Sequence, residues 1–263
     1  MPPPRLQLFE FNDTPGVPRF VRETLVESLS RALAWGHMLR DLVPPFHDFL
    51  RRTGASEVLD VGAGAGGPAG IIVDELLAAG LEPPRIILTD LHPQLESWEA
   101  LKERHPRYID YVAEPVDGSA IPPDLARGRV TTIHNVLHHF PPNLAEEVVR
   151  SSLERSAGLF ISEAFERTPL GFAAFGPPGV AALLANPLLT PRRKIAKAIF
   201  TWLTPLALAV SIWDGLVSTM RIYTEEELRA MVGDAARSFH YRRYAIGRLG
   251  HGYYFAGARA QPL

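Results

Sequence analysis

The chain has 263 residues, 46% hydrophobic and 21% charged, with a formal net charge of -2. That length suffices for one large domain with a substantial core. The balance is that of a soluble globular protein, and a near-neutral charge disfavours a polyanionic partner such as nucleic acid. Cysteine is absent, which excludes disulfides, thiolate nucleophiles and cysteine metal sites together.

The opening segment MPPPRLQLFEFNDTPG scatters prolines and charges where a secretory signal needs a continuous apolar core, so no export signal is predicted and cytoplasmic residence is expected. Over 19–50, apolar residues recur at three- and four-residue intervals through Val21, Leu25, Leu29, Leu33 and Met38, which predicts a helical N-terminal appendage spanning residues 1–55. From Glu57 the pattern changes to short apolar runs separated by helical stretches, and 56–263 reads as the main domain. Strands are predicted at 58–61, 85–89, 111–116, 130–135 and 158–163, with helices at 69–79, 94–104 and 143–155. Strands this apolar are buried on both faces, which means a parallel sheet covered by helices.

After the fifth strand the alternation gives way to a mostly helical stretch broken at Pro177-Pro178, Pro187, Pro191 and Pro205. It is read as a helical cap inserted at about 172–222. Within it, 199–213 (IFTWLTPLALAVSIW) follows the basic run Arg192-Arg193-Lys194. It falls short of the ~20 apolar residues of a spanning helix and Pro205 interrupts it. A buried lid or pocket wall is expected, in preference to a membrane-surface helix, with no stable membrane insertion. Thr224, followed by Glu225, Glu226 and Glu227, predicts a capped helix to about Arg237. Two final strand-like runs, 239–246 and 252–258, have hairpin spacing around a turn at 247–252.

The segment VLDVGAGAGGP (58–68) sets Gly62, Gly64, Gly66 and Gly67 between the first strand and a helix. A backbone that turns sharply against a flat ligand tolerates no Cβ, and the following helix offers unpaired N–H groups and a positive dipole end. Such a turn suits two cofactor classes, because Gly62, Gly64 and Gly67 also satisfy the dinucleotide fingerprint G-x-G-x-x-G. Asp60, two residues before the first glycine, can order the turn and face the ammonium group of S-adenosylmethionine. Asp90, ending the second strand, can accept hydrogen bonds from two ribose hydroxyls, as it equally could from NAD. Asp117, after the third strand, can meet an adenine amino group. A closing hairpin that inserts one antiparallel strand distinguishes this plan from a dinucleotide fold, which completes a second mononucleotide half.

Through VLDVGAGAG, ILTD, PVDGSAIP, NVLHHF and the final hairpin, over roughly 57–164 and 224–260, the sequence resembles the class I S-adenosylmethionine-dependent methyltransferases. The flanking FEFNDTPGVPRFVRETLVESL and WDGLVSTMRIYTEEEL look like a subgroup of small bacterial methyltransferases. The resemblance implies an α/β fold: a Rossmann-like, seven-stranded, mostly parallel sheet with an antiparallel C-terminal hairpin, N-terminal helices and a helical cap. It implies S-adenosyl-L-methionine as cofactor, held by Gly62, Gly64, Gly66 and Asp90 with its neighbour Leu91. Asp60, Asp117 with its neighbour Gly118, and Asn135 are the further cofactor candidates.

The run His134-Asn135-Val136-Leu137-His138-His139 ends the fourth strand, where the carboxyl ends of parallel strands meet ligands. A histidine there can take a proton from a hydroxyl or amine, which makes His139, then His138, candidate catalytic bases. A metal reading of the adjacent histidines is not adopted. Glu163, ending the fifth strand, is the third catalytic candidate, able to bind a cationic substrate group. Asp214, Ser218 and Arg221 share one helix face and, with Trp213, form a candidate substrate patch; the same face also reads as a helix-stabilising network. The expected reaction is SN2 methyl transfer to O, N or C of a small, largely apolar acceptor. The alternatives are an NAD(P)-dependent oxidoreductase and a non-catalytic S-adenosylmethionine-binding protein. The oligomeric state is left open, a homodimer being compatible with the sequence.

Overall fold

Five short apolar runs build the parallel part of one sheet: β1 (Glu57–Val61), β2 (Arg85–Thr89), β3 (Ile109–Tyr111), β4 (Val130–His134) and β5 (Gly158–Glu163). β6 (Phe239–Ile246) and β7 (Gly250–Ala258) complete it in the order β3-β2-β1-β4-β5-β7-β6. β7 lies antiparallel to β5, from Gly158 opposite Ala258 to Glu163 opposite Tyr253. Every residue of β4 and β5 is buried, as strands covered on both faces require. This computed structural model describes residues 3–14, 16–168, 171–190, 192–247 and 250–258. Pro191 and the turn residues Arg248 and Leu249 lie outside the described residues, as do Met1, Pro2 and Pro15 of the opening segment.

The helices follow in chain order: α1 (Arg19–Trp35), α2 (Val43–Thr53), α3 (Gly67–Ala78), α4 (Leu95–Arg104), α5 (Pro123–Ala126), α6 (Pro142–Arg155), α7 (Gly176–Leu189), α8 (Lys194–Ala198), α9 (Leu206–Arg221) and α10 (Glu225–Val232). Contacts group the chain into two compact units.

The larger unit takes in Leu39–Ala164, Tyr223–Tyr244 and the chain from Gly252 on. Its core is aromatic where α2 meets β5: the rings of Phe46 and Phe49 lie 5.1 and 5.4 Å from that of Phe160. α10 opens on a capping box, Thr224 accepting from the Glu227 amide while Glu227 accepts from the Thr224 amide.

The smaller unit takes in the chain up to Met38, Phe165–Ile222 and Ala245–His251. α1 packs along α7, and Val21, Leu25, Leu183, Phe200 and Ala207 form its core. The Lys197 ammonium is buried there, 2.8 Å from Glu27 and 3.4 Å from Glu23. The stretch expected to form one appendage through residue 55 thus contributes to both units.

Five expectations need correction. The third strand is Ile109–Tyr111, not 111–116: it is an edge strand, and only these residues face Ile86–Leu88. Beyond them Val112 donates once more to Leu88, after which the chain departs and Val116 donates to Asp90, with Pro115 lacking an N–H. The helix expected over 19–50 breaks after Trp35, where His37 adopts a left-handed φ of 46°. Pro187 does not break α7, which continues to Leu189. The apolar stretch 199–213 is not a buried lid. Only Phe200, Thr201 and Ala207 within it are buried, because its short helices pack on one side alone. The last helix ends at Val232 and continues as a 3-10 turn to Ser238.

Candidate active site

Strand order reverses between β1 and β4, so the loops leaving these strands diverge and open a crevice at the carboxyl edge of the sheet. The glycine turn occupies that edge. Gly62, Gly64 and Gly66 have φ of 71°, 54° and 79°, a left-handed conformation that disfavours any side chain. A Cβ at Gly62 would stand 3.0 Å from Val136, and one at Gly66 2.9 Å from Leu101. At Gly64 it would meet nothing within 4 Å, so this glycine serves the backbone conformation and borders open space. The turn is pinned from below. Gly64 N–H donates to Asp90 Oδ2 at 2.8 Å, Trp98 Nε1 donates to the Gly64 carbonyl at 2.8 Å, and Ala63 N–H donates to Thr89 at 3.0 Å.

Asp60 is buried and accepts from the Thr132 hydroxyl at 2.8 Å. Burial pushes its carboxyl up to about 7, the Asp90 charge adding to this and the Thr132 bond opposing it. A cation placed there would favour its charged form. Asp90 accepts from Gly64 N–H on one oxygen and from His92 N–H, at 2.8 Å, on the other. An ionised carboxylate has about four acceptor directions, which leaves capacity for ribose hydroxyls. Leu91 beside it is exposed. Asp117 accepts from the Ser119 amide and hydroxyl at 2.8 and 2.7 Å and so caps the turn Gly118–Ala120. A Cβ at Gly118 would approach Val61 to 2.8 Å, so Gly118 lets this turn lie against β1. Asn135, at φ 55°, ties two strand ends together: its amide donates to Ser162 and its side chain accepts from Ala164 at 2.7 Å.

The histidines divide by environment. His138 Nδ1 lies 2.9 Å from Glu163 Oε2, and the His138 amide donates to Glu163 Oε1 at 3.3 Å, with both side chains buried. The His139 ring lies 4.2 Å from that of His138. His134 is buried, which pushes its pKa down to about 3, and its Nδ1 lies 2.7 Å from the Ser162 hydroxyl. It is a neutral core residue. The Glu163 carbonyl accepts from the Tyr244 hydroxyl at 3.3 Å. The Tyr253 hydroxyl is buried without a hydrogen-bond partner among the described residues. Burial and the Glu163 charge push both phenols up, so both stay protonated. Gly252 admits this crowding, since a Cβ there would run into the Glu163 carbonyl and the Tyr244 ring.

Trp98, Thr132, Tyr244 and Tyr253 were not singled out in the sequence. Trp98 left a signal, being the one aromatic residue of LESWEALKER, a helix otherwise rich in charge. The others sit in ordinary strand alternation and become legible only through their partners.

In the smaller unit, the substrate-patch candidates bind the N-terminal segment. Asp214 accepts from the amides of Phe11 and Asn12 at 2.8 and 3.0 Å, and Ser218 donates to Glu10 at 2.9 Å. Arg221 pairs with Glu10 at 3.0 Å and Asp13 at 2.8 Å and donates to the Leu8 carbonyl. Trp213 Nε1 donates to Phe9 at 3.0 Å. Burial pushes the Asp214 carboxyl up despite the two amides. The same unit holds an apolar pocket of about 530 Å³, lined by Phe11, Val17, Val21, Phe200, Leu206 and Val210.

No family model matches the sequence, and no curated protein is similar to it in sequence. Solved structures are similar in fold. A "putative O-methyltransferase" from Nostoc punctiforme PCC 73102 aligns over 97% of this chain and 64% of its own, with a TM-score of 0.51 and 14% identity. This chain therefore spans less than two thirds of that protein's length. Magnesium protoporphyrin IX methyltransferase (ChlM) from Synechocystis PCC 6803, with bound SAH, aligns over 95% of this chain and 91% of its own, with a TM-score of 0.48 and 15% identity. The first of these establishes a shared fold.

Proposed function

We propose that this chain, which has the Rossmann-like fold of class I methyltransferases, binds S-adenosylmethionine and transfers its methyl group to a small, largely apolar acceptor. One observation carries the reading: three left-handed glycines turn around the Asp90 carboxylate at the carboxyl edge of the sheet, with buried Asp60 beneath them. The antiparallel β7 stands where a dinucleotide fold would place further parallel strands, which disfavours the oxidoreductase alternative.

The residues fit this cofactor. Open space at Gly64 admits a flat ligand, Asp90 retains acceptor capacity for ribose hydroxyls, and Asp60 gains by facing an ammonium group. When bound, S-adenosylmethionine supplies a methyl carbon already activated by its sulfonium. Asp60, Asp90 and the glycine turn hold it in one orientation, and orientation alone contributes up to about 7 to 11 kcal/mol in ideal cases.

His138 removes the acceptor's proton, in preference to His139. Its Nδ1 is engaged by Glu163, which assigns proton exchange to Nε2 and stabilises the charged ring that results. The acceptor's proton would pass to His138, whose ring Glu163 holds in place. Such a dyad favours an acceptor that loses a proton, a hydroxyl above all.

Calorimetry of the purified protein with S-adenosylhomocysteine tests the cofactor assignment. Binding is expected, with a loss of about tenfold or more for Asp90→Ala. If the wild type fails to bind, or if Asp90→Ala binds as tightly, the assignment is wrong. Incubation with methyl-labelled S-adenosylmethionine and a metabolite extract then identifies the acceptor.

A further inference from the structure

Three successive helical pieces of the smaller unit each turn an apolar side to solvent. The exposed residues recur at helical spacing: Leu184 and Leu188 on α7, Ile195 and Leu203 on α8 and the π turn Ile199–Leu203 that extends it, Leu208 and Ile212 on α9. Trp202, itself half exposed, joins two of the pieces by donating Nε1 to the Leu184 carbonyl at 2.9 Å. Exposed apolar side chains in this number on adjoining helices mark an interaction site. The face reaches the apolar pocket through Leu206.

Charge selects the occupant. Between Glu166 and Asp214 the sequence has no acidic residue. Arg192, Arg193 and Lys194 are all exposed immediately before Ile195. Glu23 binds Arg193, and Lys197 is buried in its own ion pairs. A second copy presenting the same face would set cations against cations. A layer of anionic headgroups over acyl chains complements both features, cations meeting the headgroups and aliphatic side chains entering beneath them. Among the described residues no single helix is long and apolar enough to cross a membrane, and the segments Lys194–Leu203 and Leu206–Arg221 meet at 84°. That geometry lies along an interface better than it spans one.

We propose that the face formed by α7, α8 with its π turn, and α9 docks this protein on the surface of an anionic lipid bilayer. The test is co-sedimentation of the full chain with vesicles of phosphatidylcholine alone or mixed with phosphatidylglycerol, at low and high salt. Binding to the mixed vesicles is expected to exceed binding to phosphatidylcholine by about tenfold and to weaken with salt. Ile195→Ser with Leu203→Ser should lower it by about tenfold. These side chains are 79% and 77% exposed, so circular dichroism should be unchanged. Arg192→Ala with Lys194→Ala leaves the apolar face intact and should abolish the preference for phosphatidylglycerol, which keeps the test decisive even if the serine variant unfolds.

Absence of binding to mixed vesicles overturns the proposal, as does undiminished binding by both variants. So does concentration-dependent self-association that the serine substitutions remove without any vesicle binding, which would assign the face to a second copy of the chain.

Discussion

Two buried titratable residues of the sheet give the protein opposed responses to pH. Asp60 has its pKa raised from 3.8 to about 7, so the unfolded chain ionises first. Its contribution to stability is fully present below about pH 4 and is lost as pH rises through about 7. His134, lowered from 6.5 to about 3, contributes fully above about pH 6.5 and loses its contribution as pH falls toward 3. The single variant Asp60→Asn separates the two. Relative to wild type it should gain roughly 2 kcal/mol or more between pH 4 and 8, as measured by urea unfolding at both values; an offset independent of pH would refute the raised pKa. An ammonium ligand beside Asp60 should drive out its proton, so S-adenosylhomocysteine binding near pH 6 should release protons, seen as a buffer-dependent enthalpy. For the dyad, His138→Gln and Glu163→Gln should each lower kcat by about 10² to 10⁴ while S-adenosylhomocysteine binds normally. Loss of binding instead would mean that the dyad supports the cofactor site.

Elements explain why the glycines of one turn are not equivalent. Gly64→Ala meets only conformational strain, about 1 to 2 kcal/mol, but fills the open space assigned to the cofactor. Gly66→Ala meets the same strain and also Leu101 at 2.9 Å. Thermal unfolding should therefore rank Gly66→Ala as the less stable, whereas S-adenosylhomocysteine calorimetry should rank Gly64→Ala as the poorer binder. Equal rank in both measurements would contradict the geometry. The turn was legible in the sequence because glycine is one of the few residues that announces a backbone conformation. The third strand was not, because an edge strand's extent depends on which residues find partners on β2. The pairing of Glu163 with His138 was equally hidden, since it joins positions 25 residues apart through the register of β4 and β5.

At the scale of the whole molecule, the N-terminal segment is held by buried ion pairs. Arg221 is 5% exposed and its partner Glu10 2%. Removing one partner of such a pair typically costs about 3 to 5 kcal/mol. Arg221→Met should accordingly lower stability by that order and open the segment Leu6–Asp13 to limited proteolysis, read by mass spectrometry of the first fragments. Unchanged cleavage would show that Asp214 and Trp213 suffice to hold the segment. The i, i+4, i+7 spacing of Asp214, Ser218 and Arg221 was visible in the sequence. That their partners are Glu10, Phe11, Asn12 and Asp13 was not, because nothing local links residues some 200 positions apart.

The sequence by itself determined the α/β alternation, the glycine turn and the acids closing the first strands, since hydrophobic period and glycine placement are local properties of the chain. Tertiary structure decided the rest: which histidine meets Glu163, that Asp60 is deep enough to resist ionisation, and that the stretch 199–213 faces solvent. Each of these depends on what neighbours a side chain, and burial and partners exist only after distant segments have packed.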